Sequence, residues 1–537
     1  MAFNIADMFE HTADAVPERT ALIVGDDRRS YGELEERANR LAHHLASVGV
    51  GQGDHVGVYA YNSFEWVEAM LAAYKLRAVP INVNYRYVAE ELRYLFDDAD
   101  LVAVVALREF CDLIDAIAAD VEKLRHVVVI EDGSGKDCSS LDSIPLDEAM
   151  AAQSPQRDFP PRSDDDLYVL YTGGTTGMPK GVMWRHEDVF RTLGGGMDYA
   201  TGEPVPEPTT PAERAAVSEP TVSMPIAPLM HGAAQWGMTG ALIAGNTVVL
   251  VPRFDAHEVW KAIERNGVHS ISITGDAMAR PLIEAFIEAD GRYDVSSLKG
   301  VGSSAAIFSK SLKEQFLDLL PGVTIHDAVG ASETGFNGAM PVTKEGLHSE
   351  GGPRIYLGYD SLIVDEDMQP MEPVPGAIGR LARTGNIPIG YYKDPEKTAK
   401  TFVEVDGKHY SVPGDYVRVE EDGSCTLLGR GSGTINSGGE KIYPEEVESA
   451  LKAHPQVYDA LVVGVPDERW GQRVAAVVQP RENTTPALED LDAHCRTRIA
   501  GYKVPRELHL VDEVVRSPSG KPDYTWAKEI AAKTRTA

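Results

Sequence analysis

The sequence predicts an α/β fold: a large N-terminal α/β domain with multiple sheets, followed by a small mobile α+β C-terminal domain. Three observations lead there. A chain of 537 residues exceeds the roughly 250–300 residues at which a single core stops growing, so two or three domains are expected. Short β-branched runs alternate with amphipathic stretches, the rhythm of a parallel sheet covered by helices. From Gly429 the texture turns to Gly and Ser, which marks a boundary and leaves roughly 100 residues for a second, smaller domain. The expected division is 1–430 and 431–537.

Each element follows from local chemistry. Ser30-Tyr31-Gly32-Glu33 has the form of a capping box, and Leu34, Ala38, Leu41, Ala42 and Leu45 then recur at helical spacing, so a helix with one buried face begins there. Val56–Tyr59, Val102–Ala106, Val127–Ile130 and Leu167–Leu170 read as strands, as do Thr247–Val251 and Ser270–Ile273, with Asp255 capping a helix between the last two. The proline-rich stretch Gly202–Pro220 is expected to be an exposed, mobile loop. Beyond the Gly/Ser stretch come a helix at Pro444–Ala453 and a strand at Ala460–Val465. No internal repeat is visible.

Composition narrows the function classes. The chain is 43% hydrophobic and 25% charged, which is the make-up of a folded protein with a large core. With 51 Lys and Arg against 82 Asp and Glu the net charge is -31, which argues against nucleic acid or anionic lipid as the main partner. Cys111, Cys138, Cys425 and Cys495 lie far apart without a CxxC pair, so neither a zinc site nor a disulfide framework is expected, and a reducing cytoplasm fits. Met1–Glu10 lacks the basic start and apolar core of a signal peptide. No run approaches about 18 apolar residues, so no membrane span is expected.

The strongest local signal is Tyr171-Thr172-Gly173-Gly174-Thr175-Thr176-Gly177-Met178-Pro179-Lys180-Gly181. Glycines let backbone N–H groups approach an anion, threonines add hydroxyl donors and Lys180 adds charge, as a triphosphate cradle requires. A Walker loop needs Gly-Lys followed by Ser or Thr, whereas Lys180 stands between Pro179 and Gly181. Gly300-Val301-Gly302-Ser303-Ser304-Ala305 matches a dinucleotide pattern, but no clear strand precedes it.

The Gly/Thr loop resembles the phosphate loop of the adenylate-forming superfamily, which includes acyl-CoA synthetases, peptide-synthetase adenylation domains and luciferases. Further segments match in the same order. Pro228-Leu229-Met230-His231-Gly232 is similar to the segment whose aromatic residue lies beside the reacting carboxylate, and Gly330-Ala331-Ser332-Glu333-Thr334 to the segment whose Glu holds magnesium. Pro413-Gly414-Asp415 and Gly429-Arg430 resemble the ribose-binding pair. Ile435-Asn436-Ser437-Gly438-Gly439-Glu440-Lys441 resembles the entry to the small domain, and Ser517-Pro518-Ser519-Gly520-Lys521 the terminal lysine motif.

The resemblance implies catalytic roles for Lys521, His231 and Thr172. It implies an ATP site from Thr172, Gly173, Gly174, Thr175, Thr176, Gly177, Lys180, Gly302, Ser303, Ser304, Asp327, Ala328, Val329, Ser332, Asp415, Arg430 and Lys521. Trp236, Met278, Ala305, Ala306, Ala331 and Phe336 would border the acyl pocket, Gly438 and Gly439 the coenzyme A channel, and Glu333 would hold Mg²⁺, for which one carboxylate beside phosphates suffices. Two positions depart from the pattern: Val329 stands where many members have an aromatic residue, and Ser432 where the hinge usually has Asp or Lys.

The implied activity is an acid–CoA ligase using ATP, Mg²⁺ and coenzyme A to activate a hydrophobic carboxylic acid through an acyl-adenylate, in fatty-acid or lipid metabolism. The small residues of the pocket suggest a bulky acid, and the Arg430-Gly431-Ser432 and Asn436–Lys441 segments resemble actinobacterial steroid side-chain and long-chain acyl-CoA synthetases. An acyl-AMP ligase loading a carrier protein in trans is the alternative, and a non-catalytic nucleotide-binding protein a third. A homodimer is compatible with the sequence.

Overall fold

The structure is a computed structural model that describes residues 2–138, 142–172, 178–197, 203–344, 347, 352–437, 440–467, 471–516 and 521–533. The chain forms two compact units. The first comprises Met1–Ser272, Arg292–Leu298 and Asn386–Phe402, and the second Ile273–Gly291, Lys299–Gly385 and Val403–Ala537.

In the first unit a five-stranded sheet is ordered Val79–Asn82, His55–Tyr59, Leu101–Leu107, His126–Ile130, Asp142–Pro145, with every neighbouring pair parallel. Its three central strands are buried along their whole length, as strands covered on both faces must be, which is why they read as continuous apolar runs. A second parallel array joins Thr20–Val24, Thr247–Leu250, Val222–Pro225 and residues 270–272, edged by the antiparallel strand Asp27–Ser30. The third sheet is the antiparallel pair Leu167–Thr172 and Lys180–Arg185 with the short strand Gly390–Tyr391.

The expected caps are in place. The Ser30 hydroxyl accepts from the Glu33 amide while the Glu33 carboxylate accepts from the Ser30 amide, opening the helix Tyr31–Ser47, and Asp255 accepts from the Glu258 amide at the start of Ala256–Asn266.

The second unit contains the hairpin Thr324–Ala331 and Gly335–Val342, with Gly300–Ser303 parallel to the first strand, followed by an antiparallel array that includes Asp415–Val419 and Cys425–Arg430. Further along, Val457–Asp467 and Gly471–Pro480 form a long antiparallel pair joined in parallel by Glu507–Leu510. The helices Pro444–Lys452 and Leu488–Arg496 contribute buried side chains to one apolar cluster against this sheet, and Tyr524–Lys533 to another.

Two expectations are corrected. Cys111 and Cys138 form a disulfide, although neither spacing nor composition signalled one. Cys111 opens the helix after one strand and Cys138 follows the adjacent parallel strand, so the sheet brings together residues that are 27 positions apart. Within the proline-rich stretch, Thr210–Val217 is helical rather than loop. Pro211 sits in the first turn, where its missing N–H costs no helical hydrogen bond, and alanines follow, of which Ala212 and Ala215 are buried. Among the described residues no helix is long and apolar enough to cross a membrane.

A charge cluster lies inside the first unit. Lys75 is fully buried, and its ammonium lies 2.6 Å from Glu10 and 2.8 Å from Glu35. Arg162 reaches Glu10 at 2.7 Å and Arg157 reaches Glu35 at 2.6 Å. Burial pushes the Glu10 carboxyl up, but Lys75 and Arg162 outweigh it and hold the group below its ordinary value. A carboxylate depressed in this way stabilises the fold above its unfolded value of about 4.3, and that contribution is lost as pH falls through the lower folded value. Lys75→Met should therefore destabilise the protein by about 3–5 kcal/mol in urea unfolding near neutral pH. The deficit should shrink as pH falls below the unfolded carboxyl value of about 4.3 and on through the lower folded value of Glu10; a loss under 1 kcal/mol at pH 7 would contradict the role given to this ammonium.

Candidate functional site

The phosphate-loop residues fall in the first unit. Thr172 ends one strand and Lys180 begins the next, and the two are direct cross-strand partners. The Gly/Thr segment is thus the connection of an antiparallel hairpin, although Gly173, Gly174, Thr175, Thr176 and Gly177 lie outside the described residues. The Tyr171 hydroxyl donates to Asp98 at 2.8 Å, which braces the strand just before the loop. Lys180 is ion-paired with Asp394 at 3.0 Å. Its hydrogen bond to Asp394 raises the ammonium above its ordinary value, while the Lys397 amide and then Lys180 lower the Asp394 carboxyl. Asp394 caps the helix Pro395–Thr401, so it fixes Lys180 and that helix together. In the sequence only the form of a helix cap before Pro395 marks Asp394.

His231 is the N-cap residue of the helix Gly232–Ile243, with its amide donating to the Pro228 carbonyl at 3.0 Å. A Cβ at Gly232, the residue that follows, would lie 2.5 Å from Leu170 Cδ2, so a larger residue there would oblige that side chain to shift. Trp236, one turn on, is 5% exposed and packs edge-on against Tyr168 at 5.1 Å.

The other candidate residues fall in the second unit. Gly302 and Ser303 end the strand Gly300–Ser303, and the next helix opens only at Lys310, so the Gly-x-Gly pattern is a strand and its exit rather than a dinucleotide turn. After it, the Ala306 amide donates to the Ser304 carbonyl at 2.8 Å around Ala305, whose φ is +66°. This is a γ-turn on a non-glycine residue, a strained local arrangement at a functional candidate. The turn is packed against the start of the helix Asp276–Ala289, which carries Met278. A Cβ at Gly275 would lie 2.2 Å from the Ile307 carbonyl oxygen, and the Asp276 amide donates to that same oxygen at 2.8 Å. Asp276 also pairs with Lys452 at 3.1 Å, both side chains being buried.

Asp327, Ala328 and Val329 lie on the strand Thr324–Ala331. Burial raises the Asp327 carboxyl above its ordinary value even though the Lys313 ammonium is bound to it. Val329 belongs to a buried cluster with Ile355, Ile363, Leu381 and Val417, so the residue that replaces the usual aromatic is a core residue. Ala331, Ser332 and Glu333 enter the turn of this hairpin, and Phe336 lies just beyond it. Glu333 is buried, and its backbone carbonyl accepts from the Ser411 hydroxyl at 2.5 Å. A buried carboxylate with a fixed backbone suits a hard, oxygen-seeking cation such as Mg²⁺. Among the described residues no group of three or more His, Cys, Asp or Glu could hold a metal ion.

Asp415 and Arg430, fifteen residues apart in sequence, are direct cross-strand partners. The hairpin explains the spacing. Gly438, Gly439 and residues 517–520 lie outside the described residues. Lys521 follows that last segment, and its neighbour Pro522 bridges back to Arg516, which Asp459 holds by two contacts of 2.6 and 2.7 Å.

If the γ-turn stores strain, Ala305→Gly should raise stability by up to about 1 kcal/mol, since a left-handed residue with a Cβ costs roughly 1–2 kcal/mol. Thermal unfolding checks this, and a fall in midpoint would remove strain from the description of this turn.

Comparison with known proteins bears on the whole chain. The family description "AMP-binding enzyme" matches residues 9–392, and "AMP-binding enzyme C-terminal domain" matches residues 446–521. A medium/long-chain-fatty-acid–CoA/3-oxocholest-4-en-26-oate–CoA ligase of Mycolicibacterium smegmatis is 54% identical over 533 residues, 99% of this chain and 97% of the relative. A 3-oxocholest-4-en-26-oate–CoA ligase of Rhodococcus rhodochrous is 53% identical over 533 residues, 98% and 96% of the two chains. Among solved structures, the anthranilate CoA ligase AuaEII in complex with anthranoyl-AMP superposes with a TM-score of 0.84 at 22% identity, covering 99% of this chain and 98% of that one. With two matching family descriptions in order along its length and relatives above half identity over nearly every residue, the chain belongs to the AMP-binding enzyme family.

Proposed function

We propose that this protein is an AMP-forming acyl-CoA synthetase that joins a bulky hydrophobic carboxylic acid to coenzyme A at the expense of ATP. The observation that carries the reading is its near-complete overlap with the two named ligases. Their names indicate the substrate class: medium- and long-chain fatty acids and a steroid side-chain acid. The small residues expected along the pocket, Ala305, Ala306 and Ala331, are consistent with a wide acid.

In the first half-reaction an acid oxygen attacks the α-phosphorus of ATP and pyrophosphate leaves. In the second, the coenzyme A thiol attacks the acyl carbon, AMP leaves, and the thiol proton passes to solvent. Positioning and charge stabilisation account for most of such catalysis. Thr172, the Gly/Thr loop and Lys180 bind the phosphates, Asp415 and Arg430 hold the ribose, and His231 faces the acid carboxylate. Lys521 supplies positive charge for adenylation, and Gly438 and Gly439 border the thiol's path. Glu333 would hold Mg²⁺, which supplies charge neutralisation on the phosphates when bound. On this reading residues 1–430 carry the nucleotide and acid sites, and 431–537 turn about Ser432 to exchange Lys521 for the Gly438–Gly439 segment. A cytoplasmic homodimer is the assembly proposed.

Purified protein given ATP, Mg²⁺ and a panel of short, long, aromatic and steroid acids should form AMP and acyl-CoA, fastest with the long-chain and steroid members. Acyl-AMP without any thioester in the presence of coenzyme A would indicate a carrier-loading enzyme instead, and no acid-dependent pyrophosphate at all would reject the ligase assignment. Lys521→Ala should lower pyrophosphate formation by about 10²–10³ while leaving thioester formation from supplied acyl-AMP largely intact. Equal loss of both half-reactions would show that the lysine does not act in adenylation alone.

A further inference from the structure

Two buried asparagines in the first unit join segments that the proposed site needs side by side. Asn82, the last residue of the strand Val79–Asn82, is 7% exposed. Its amide nitrogen donates to the Tyr171 carbonyl at 2.8 Å and to the Met230 carbonyl at 2.7 Å, and its amide oxygen accepts from the Tyr171 N–H at 2.9 Å. Asn62, 2% exposed, follows the neighbouring strand His55–Tyr59. Its nitrogen donates to the Val251 carbonyl at 3.1 Å, with a longer contact of 3.4 Å to the Ala227 carbonyl, and its oxygen accepts from the Leu229 N–H at 2.7 Å.

The chemistry is specific to a carboxamide. Only Asn and Gln place two donors and an acceptor on one planar group, and the extra methylene of Gln would carry that group away from the positions at which Asn82 makes its contacts. Asp at position 82 would set a negative oxygen against two carbonyl oxygens, and Ala would leave the buried backbone of Tyr171 and Met230 with partners removed. The residues so held are each one position before a proposed catalytic group: Tyr171 precedes Thr172, and Met230 precedes His231.

We infer that Asn82, seconded by Asn62, is the positioning residue that fixes the phosphate-loop strand relative to the His231 segment. The inference rests on the ligase reading for the roles of Thr172 and His231. Neither asparagine touches substrate; both act through the backbone of their neighbours. Because a reacting group displaced by about 1 Å can lose roughly 10²-fold in rate, the expected signature is a loss in turnover coupled to His231.

The test uses the full chain. Asn82→Asp preserves shape and removes both donors, Asn82→Ala removes the whole group, and whichever is folded by circular dichroism and thermal unfolding is carried forward. In acid-dependent ATP–pyrophosphate exchange the variant should lose about 10²-fold in kcat with a smaller change in KM for ATP. Placed in a His231→Ala background, the same substitution should cost less than 10-fold, since the group it positions is gone. Equal costs in both backgrounds would overturn the inference and leave a purely structural amide. A second readout does not depend on turnover: hydrogen exchange should accelerate in peptides covering residues 167–172 and 226–232 and stay unchanged in the helix Tyr31–Ser47. Uniform acceleration, or none, would also overturn it. A wild-type protein inactive with every acid would reject the ligase reading, while the exchange pattern would still report whether Asn82 clamps the two segments.

Discussion

A polar group withdrawn from water must be given partners, and in this protein the groups so withdrawn are the ones that tie together segments far apart in sequence. The Lys75 ammonium has no access to solvent and is met by Glu10 and Glu35, which ties together the helices Ile5–Ala15, Tyr31–Ser47 and Phe64–Lys75. The Asn82 carboxamide does the same for the phosphate-loop strand and the segment before His231. In the second unit Lys313 meets Asp327, and Lys452 meets Asp276. Apolar burial supplies the larger part of the folding free energy, but it is non-directional. The directional requirement of these buried groups is what specifies which segments lie beside which.

That division of labour suits an enzyme that does little covalent chemistry of its own. Transfer to and from a phosphoanhydride depends on groups held in place before the reaction begins. Hairpins are an economical way to hold them, because two residues many positions apart become neighbours once the register is set. Thr172 and Lys180 are brought together by one hairpin and Asp415 and Arg430 by another. Glu333 enters a third hairpin's turn, where the Ser411 hydroxyl secures its backbone. The Ala305 γ-turn and the close approach of the backbone after it to Gly275 add a tight corner ahead of the helix that carries Met278. Lys180 illustrates the other side of such design: on the proposed reading, its ion pair with Asp394 sets a carboxylate in competition with the phosphate.

Where sequence reasoning failed, the cause was long-range geometry in every case but one. The Cys111–Cys138 disulfide could not be inferred from spacing, because it depends on two parallel strands lying side by side. The helix Thr210–Val217 was hidden by prolines that serve as loop signals in one context and as helix starters in another. Val329 could be seen to depart from the usual residue, but its place in a core cluster required knowing which face of the strand is covered. Asp394 carried only the mark of a helix cap before Pro395, and Ser411, Asn62 and Asn82 carried no local mark at all. Asn82 finds its partners 89 and 148 positions away, and a lone asparagine after a strand reads as an ordinary turn residue.

The sequence by itself determined the α/β class, the caps at Ser30 and Asp255, the buried parallel strands and the order of the Gly/Thr, His231, Glu333, Asp415, Arg430 and Lys521 segments, because each of these depends on periodicity or on residue types within a short window. Only the tertiary structure decided which strand lies across from which, how the buried charges and amides are partnered, and which backbone the asparagines hold. Those outcomes depend on hydrogen bonds between residues whose separation along the chain carries no periodic signal, so they exist only once the sheets have assembled.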